Sequence, residues 1–192
     1  MTRPTVLWIV FILLLGLVLT SCSEIREKPE AGEQQAYKTE SFAIYSSKDS
    51  LFVDENAIQR IAFVDGVIEV EQGKTMLEKL KTIADTLSKR YFNGLTIAIS
   101  DSFGAAGTVS VAKINLLESA DFNGPGTVPS YQSWYDFFQG TTGGQNTTIT
   151  LRESLLQRHY TGEWVDGLVF YYQGEPMGDW DHIALYGFFK RE

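Results

Sequence analysis

Asp179-Trp180-Asp181-His182 is the stretch of this 192-residue chain where carboxylates and an imidazole crowd together in sequence. Such side chains can hold a divalent ion, and Asp166 and Glu175 are close enough along the chain to add ligands. The chain has only two histidines, which excludes a His-rich zinc site. Beside Gly178 the same residues are also ordinary turn composition between strands. That second reading is preferred, and no metal or other cofactor is expected. Gly140-Thr141-Thr142-Gly143-Gly144 is a candidate anion loop, since backbone N–H groups ahead of a helix can cradle negative charge. It lacks the Lys-Ser/Thr of a Walker loop and the G-x-G-x-x-G spacing. The preferred reading is a flexible helix entry capped by its threonines. His159, near the carboxyl end of the same helix, suits a favourable interaction with the helix dipole better than general-base catalysis. Glu153 and Asp166 could act as an acid and base pair only if the fold brings them together. No serine lies in a Gly-x-Ser-x-Gly elbow, and the sole cysteine, Cys22, is accounted for below. No catalytic residues are assigned.

Aromatic side chains are the other chemical resource, at 13% of the chain. Trp134, Tyr135, Phe137 and Phe138 form one group; Trp164, Phe170, Tyr171 and Tyr172 form another. On a rim such rings bind sugars or proteins, and inside they make core. Between Val165 and Tyr172 both alternating sets are apolar, so that strand is expected to be central or covered. Most of these rings should therefore be core, with Trp134 and Tyr135 expected as an exposed contact surface.

The elements that must position these residues begin at Ser41. Phe42 to Tyr45 reads as a strand, and Gln59–Val64 and Val67–Val70 as a hairpin turning at Asp65-Gly66. Leu77, Leu80, Ala84, Leu87 and Tyr91 form an apolar stripe, which predicts a helix over Lys74–Tyr91. Leu95–Ile99 and Thr108–Leu116 read as strands paired antiparallel across the 101–107 loop. Gly124-Pro125-Gly126 and Pro129 mark an excursion from the sheet. A second helix is expected from Asn146 or Thr147, with Thr150 and Glu153 at capping-box spacing. Trp164–Tyr172 and Ile183–Phe189 read as closing strands. The fold class expected is α+β, with two helices on one face of a mostly antiparallel sheet.

Residues 1–22 bear on location. Arg3 is followed by an apolar run, Val6–Leu19, shorter than the roughly 20 residues a spanning helix needs. Leu19-Thr20-Ser21-Cys22 then resembles the lipobox of bacterial lipoprotein precursors, which implies that Cys22 is acylated and becomes the first mature residue. An uncleaved signal anchor is the alternative, but it would need no cysteine at that position. Removing the first 21 of 192 residues leaves 171, enough for one domain of ordinary size. Ser23–Glu40 is too polar to bury a core. It is expected to be a tether of 18 residues, reaching roughly 60 Å when extended, ahead of a single domain over 41–192. Taking Arg3 from the formal charge of −8 leaves −9 on residues 22–192. That charge disfavours anionic lipid and nucleic acid as partners. The expected location is the bacterial cell envelope, lipid-anchored, in the outer membrane if the organism has one.

Leu151-Arg-Glu-Ser-Leu-Leu-Gln157, followed by Trp164-Val-Asp-Gly-Leu-Val-Phe-Tyr-Tyr-Gln-Gly174, resembles the GerM-type (GerMN) domain of envelope lipoproteins. The order of elements from Lys74 to Gly174 is similar as well. The resemblance implies a non-enzymatic module that packs against neighbours in envelope assemblies, with no catalytic residues to carry over. The leading expectation is a non-catalytic domain binding an envelope protein or cell-wall polysaccharide such as peptidoglycan. The alternative is a small envelope hydrolase using the carboxylates and histidine near the carboxyl end.

Overall fold

A computed structural model describes residues 38–50, 60–103 and 109–192, with 101–103 by backbone alone. Cys22 and the leader lie outside the described residues. Strand β1 (Thr39–Asp49) pairs antiparallel with β2 (Arg60–Glu71) as a two-stranded sheet. It takes in Thr39 and Glu40, which the sequence assigns to the tether. The Asp65-Gly66 turn expected from sequence is not a turn. β2 runs straight through it, and Asp65 is the extra residue of a β-bulge, between the pairs Ile44–Gly66 and Tyr45–Val64. Asp-Gly suits a bulge as well as a hairpin turn, and the neighbouring helix decides between them. The Asp65 carboxylate accepts hydrogen bonds from Arg90 (3.1 Å) and Tyr91 (2.5 Å), while a Cβ on Gly66 would fall 2.7 Å from Arg90 Nη1.

That helix, α1 (Met76–Tyr91), starts at a full capping box, in which Thr75 and Glu78 each receive the other's backbone N–H. Its apolar stripe buries Leu80, Ile83, Ala84 and Leu87. β3 (Thr96–Phe103) and β4 (Ser110–Leu117) pair antiparallel as expected, with 101–103, which the sequence assigns to the loop, extending β3. The chain then makes a long excursion through a one-turn helix, α2 (Trp134–Phe137), and α3 (Thr141–Leu156), before returning as β5 (Gly167–Tyr172).

β5 lies parallel to β4, because the excursion between them is a crossover long enough to restore the strand direction. β6 (Glu175–Pro176) and β7 (Phe188–Lys190) pair antiparallel with its other edge, so β5 is flanked on both sides. The fold is α+β. Among the described residues it departs from the expected layout in having a mixed five-stranded sheet, a separate two-stranded one, and three helices. Of the expected strand Ile183–Phe189, only the Trp180–Ile183 bridge and β7 form.

α3 touches both β1 and β5, which explains why Thr147, Thr148, Thr150, Ser154 and Gln157 are buried beside Leu151 and Leu155. Its polar stripe serves the open edge of β1. The Ala43 N–H donates to Gln157 Oε1 (3.1 Å), that of Tyr45 to Ser154 Oγ (2.9 Å), and that of Ser47 to Asn146 Oδ1 (3.3 Å). A sheet edge is thus closed by side chains instead of a strand. Phe42 and Ile44 of β1 join Leu80, Ile114, Leu151 and Leu168 in one core.

Candidate functional site

The residues with chemical potential gather along one face of α3. Gln145, Thr148, Ile149 and Arg152 recur at helical spacing and line an open cleft of about 710 Å³. Its other wall is the segment from Asp179 to Phe189, and Arg60 from the start of β2 also lines it. Close backbone approach fixes the two walls. A Cβ on Gly144 would collide with the His182 carbonyl oxygen, and the Ala184 N–H donates to Thr148 Oγ1 at 3.0 Å.

Arg60 is held from behind: its Nε donates to Ser47 Oγ (2.9 Å), and Asp49 lies 3.8 Å away. Arg152 donates through Nε to Glu153 (2.8 Å), with its guanidinium carbon 5.7 Å from the Phe189 ring centre. Glu153 is shared with Arg158 (3.0 Å), so two cations bear on one carboxylate.

Several polar tips in this cleft lack partners, as do the buried Ser110 Oγ and Thr150 Oγ1 outside it among the described residues, whereas five aromatic tips elsewhere are engaged. Trp134 and Trp164 donate their indole N–H to the carbonyls of Thr96 (3.3 Å) and Leu155 (2.8 Å). The hydroxyls of Tyr91, Tyr160 and Tyr172 donate to Asp65, Glu40 and Glu118. Burial first, and then the carboxylate partner, pushes the ionisation of Tyr91 and Tyr160 up to about 12 and raises that of Tyr172 further. Among the described residues, the side-chain polar atoms of Gln145, Asp179, Trp180, Asp181, His182 and Tyr186 have no such partner, and neither have the terminal nitrogens of Arg152.

Asp179, Asp181 and His182 therefore do share a site. Among the described residues, however, no three His, Cys, Asp or Glu side chains come together as a metal cluster. Glu175 is exposed in β6. Asp166 accepts the Ser110 N–H (2.6 Å) and Glu153 is paired with arginines, so each is engaged separately. His159 is exposed in the turn after α3, not on the helix.

Gly140 is the N-cap of α3, and Thr141 to Gly144 form its first turn. The helix thus begins well before the expected Asn146 or Thr147, and Thr150 and Glu153 are interior to it. Poor helix formers are helical here because tertiary contacts outweigh propensity. Besides the Gly144 contact, Thr147 Oγ1 donates to the Phe137 carbonyl (3.0 Å).

Trp134 is not a contact residue. It is 0% exposed, its backbone N–H caps onto Glu118 (2.8 Å), and its ring packs on Phe92 at 4.8 Å. Tyr135 is half-buried and meets Trp180 edge-on at 6.1 Å. Sequence reasoning missed Arg60, Gln145, Arg152 and Tyr186. The i, i+3, i+4, i+7 spacing of Gln145, Thr148, Ile149 and Arg152, on a helix with a second face rich in leucine, was the available signal.

No family model, no curated protein and no solved structure matches this chain.

Proposed function

We propose that this chain is a lipid-anchored protein of the bacterial cell envelope whose α+β domain is a non-catalytic binding module, and that its ligand occupies the cleft between α3 and the Asp179–Phe189 segment. The lipobox-like Leu19–Cys22 supports the anchor, and the acidic charge leaves lipid as the means of membrane attachment. The likeness to GerM-type modules agrees with a binding role, with partners in the wall or among envelope proteins. One observation carries the reading: a concave site in which unpartnered polar tips and aromatic rings converge is the usual form of a ligand pocket. A wall glycan suits this concavity better than a flat protein surface does.

The test is retention of the full chain, in detergent, on intact and peptide-stripped cell-wall sacculi. Trp180→Ala and Tyr186→Ala should each release it, while Tyr131→Ala, at an exposed ring that does not line the cleft, should not. Retention unchanged in both cleft variants would overturn the site. Labelled palmitate should enter the native chain and not Cys22→Ala. Incorporation into Cys22→Ala would remove the anchor.

A second reading rests on Asp179, Asp181 and His182 lining the same cleft. If wall fragments were cleaved, and cleavage but not retention vanished in Asp181→Ala and His182→Ala, the module would be a hydrolase.

A further inference from the structure

We infer that the cleft recognises an acidic saccharide, its carboxylate held by the terminal guanidinium nitrogens of Arg152. The inference rests on the binding-module reading above and names the ligand class.

Three observations carry it. The first is local charge. The chain is strongly acidic, yet Arg152 and Arg158 share the single carboxylate of Glu153, so that carboxylate neutralises neither guanidinium alone. Arg158 is as exposed as Arg152 but spends its Nη1 on the chain, donating to the Lys190 carbonyl at 2.9 Å. Among the described residues Arg152 hydrogen-bonds through Nε alone, rests on the Phe189 ring and is about a third exposed. Its planar fork is therefore open to the cleft, in the geometry that favours a carboxylate.

The second is the rest of the lining. The Asp179 and Asp181 carboxylates, the Gln145 amide and the Tyr186 hydroxyl have no partner among the described residues and can bond sugar hydroxyls. Trp180 and Tyr186 supply ring faces for the apolar side of a pyranose. The third is what the aspartates exclude. Two carboxylates at one site repel a doubly charged phosphate more than a singly charged carboxylate. A hydroxyl-rich ring with one carboxylate is the ligand that satisfies all three.

The experiment is titration calorimetry of the full chain in detergent with a disaccharide of N-acetylglucosamine and N-acetylmuramic acid. The comparison ligand is the same disaccharide with its lactyl carboxylate converted to the amide. The acid should bind roughly tenfold tighter or more, the scale of one charge-assisted hydrogen-bond pair. Arg152→Lys should shrink that ratio and Arg152→Ala should erase it. Neither should alter the denaturation midpoint by much, because Glu153 keeps Arg158.

Equal affinity for acid and amide, or a ratio that survives Arg152→Ala, overturns the inference. So does inorganic phosphate competing as well as the acid. These failures are separable from failure of the binding-module reading, which would show as loss of sacculus retention by the unaltered chain.

Discussion

Trp134 and Trp180 belong to one continuous aromatic assembly, since Phe138 touches both, with ring centres 6.2 and 5.0 Å away. They are nevertheless used in opposite ways. Around Trp134 the buried polar groups are engaged: the indole N–H by Thr96, the start of α2 by the Glu118 carboxylate, and that carboxylate again by the Tyr172 hydroxyl. Trp180 packs one side against Tyr135, Phe138 and Tyr172, and it lines the cleft with its N–H unpartnered among the described residues. An aromatic cluster by itself does not separate core from ligand site. The disposition of its polar atoms does, because burying an unpaired donor costs free energy and leaving one beside solvent does not.

The largest effect that can break this division is on stability. Trp134→Ala should cost about 3–5 kcal/mol, the usual range for emptying a fully buried large aromatic site, and urea denaturation reads it directly. Trp180→Ala should cost clearly less, because its ring is only partly buried and its N–H holds nothing together. Equal losses in the two variants would mean that the cleft ring is core after all.

The engaged tyrosines give a second contrast. Tyr91 and Tyr160, pushed up to about 12, are held in the fold as neutral donors. Their contribution is complete below the ordinary tyrosine value of 10.0 and is lost as pH rises through about 12. Tyr160→Phe lacks the Glu40 bond at every pH. Its denaturation midpoint should lie below that of the unaltered chain at neutral pH, and the two should converge between pH 10 and 12. Tyr186→Phe, which removes a hydroxyl with no partner among the described residues, should leave the neutral midpoint where it is. Parallel curves for Tyr160→Phe and the unaltered chain would show that the Glu40 bond adds nothing.

How far the residues foretell this arrangement depends on the range of the interactions. α1 is legible because its apolar stripe, Leu77 to Tyr91, is local. The β3–β4 pairing is legible because a short loop joins two β-branched runs, and the covered position of β5 follows from apolar residues on both alternating sets. The bulge at Asp65 was not legible, since its cause is Arg90 and Tyr91 on another element. Nor was the parallel β4–β5 pair, because a crossover and a loop excursion share the same composition. Trp134 was misplaced for a related reason: its burial depends on Glu118 and Thr96, distant in sequence. Half of the cleft could be seen, in Asp179–His182. The half supplied by α3 was not legible: a start at Asn146 or Thr147 excludes Gln145, and nothing local marks the face of Thr148, Ile149 and Arg152, which lie within it, as a cleft wall.

That late start rests on Gly143-Gly144, and the two glycines supply the smallest and most discriminating effect. Both stand in the first turn of α3, where glycine is worse than alanine by up to about 1 kcal/mol. Nothing lies within 4 Å of a Cβ on Gly143, so Gly143→Ala should stabilise the domain by about 0.4–1 kcal/mol. The same methyl on Gly144 would strike the His182 backbone, which cannot yield without moving the cleft wall. Gly144→Ala should therefore destabilise, by about 1–3 kcal/mol, and should weaken retention on sacculi as the wall shifts. The opposite signs matter more than either size. Propensity alone predicts a gain at both positions, whereas a helix held against the Asp179–Phe189 segment predicts a gain at one and a loss at the other. A gain at both would detach α3 from the far wall, and the cleft would lose its closest backbone contact.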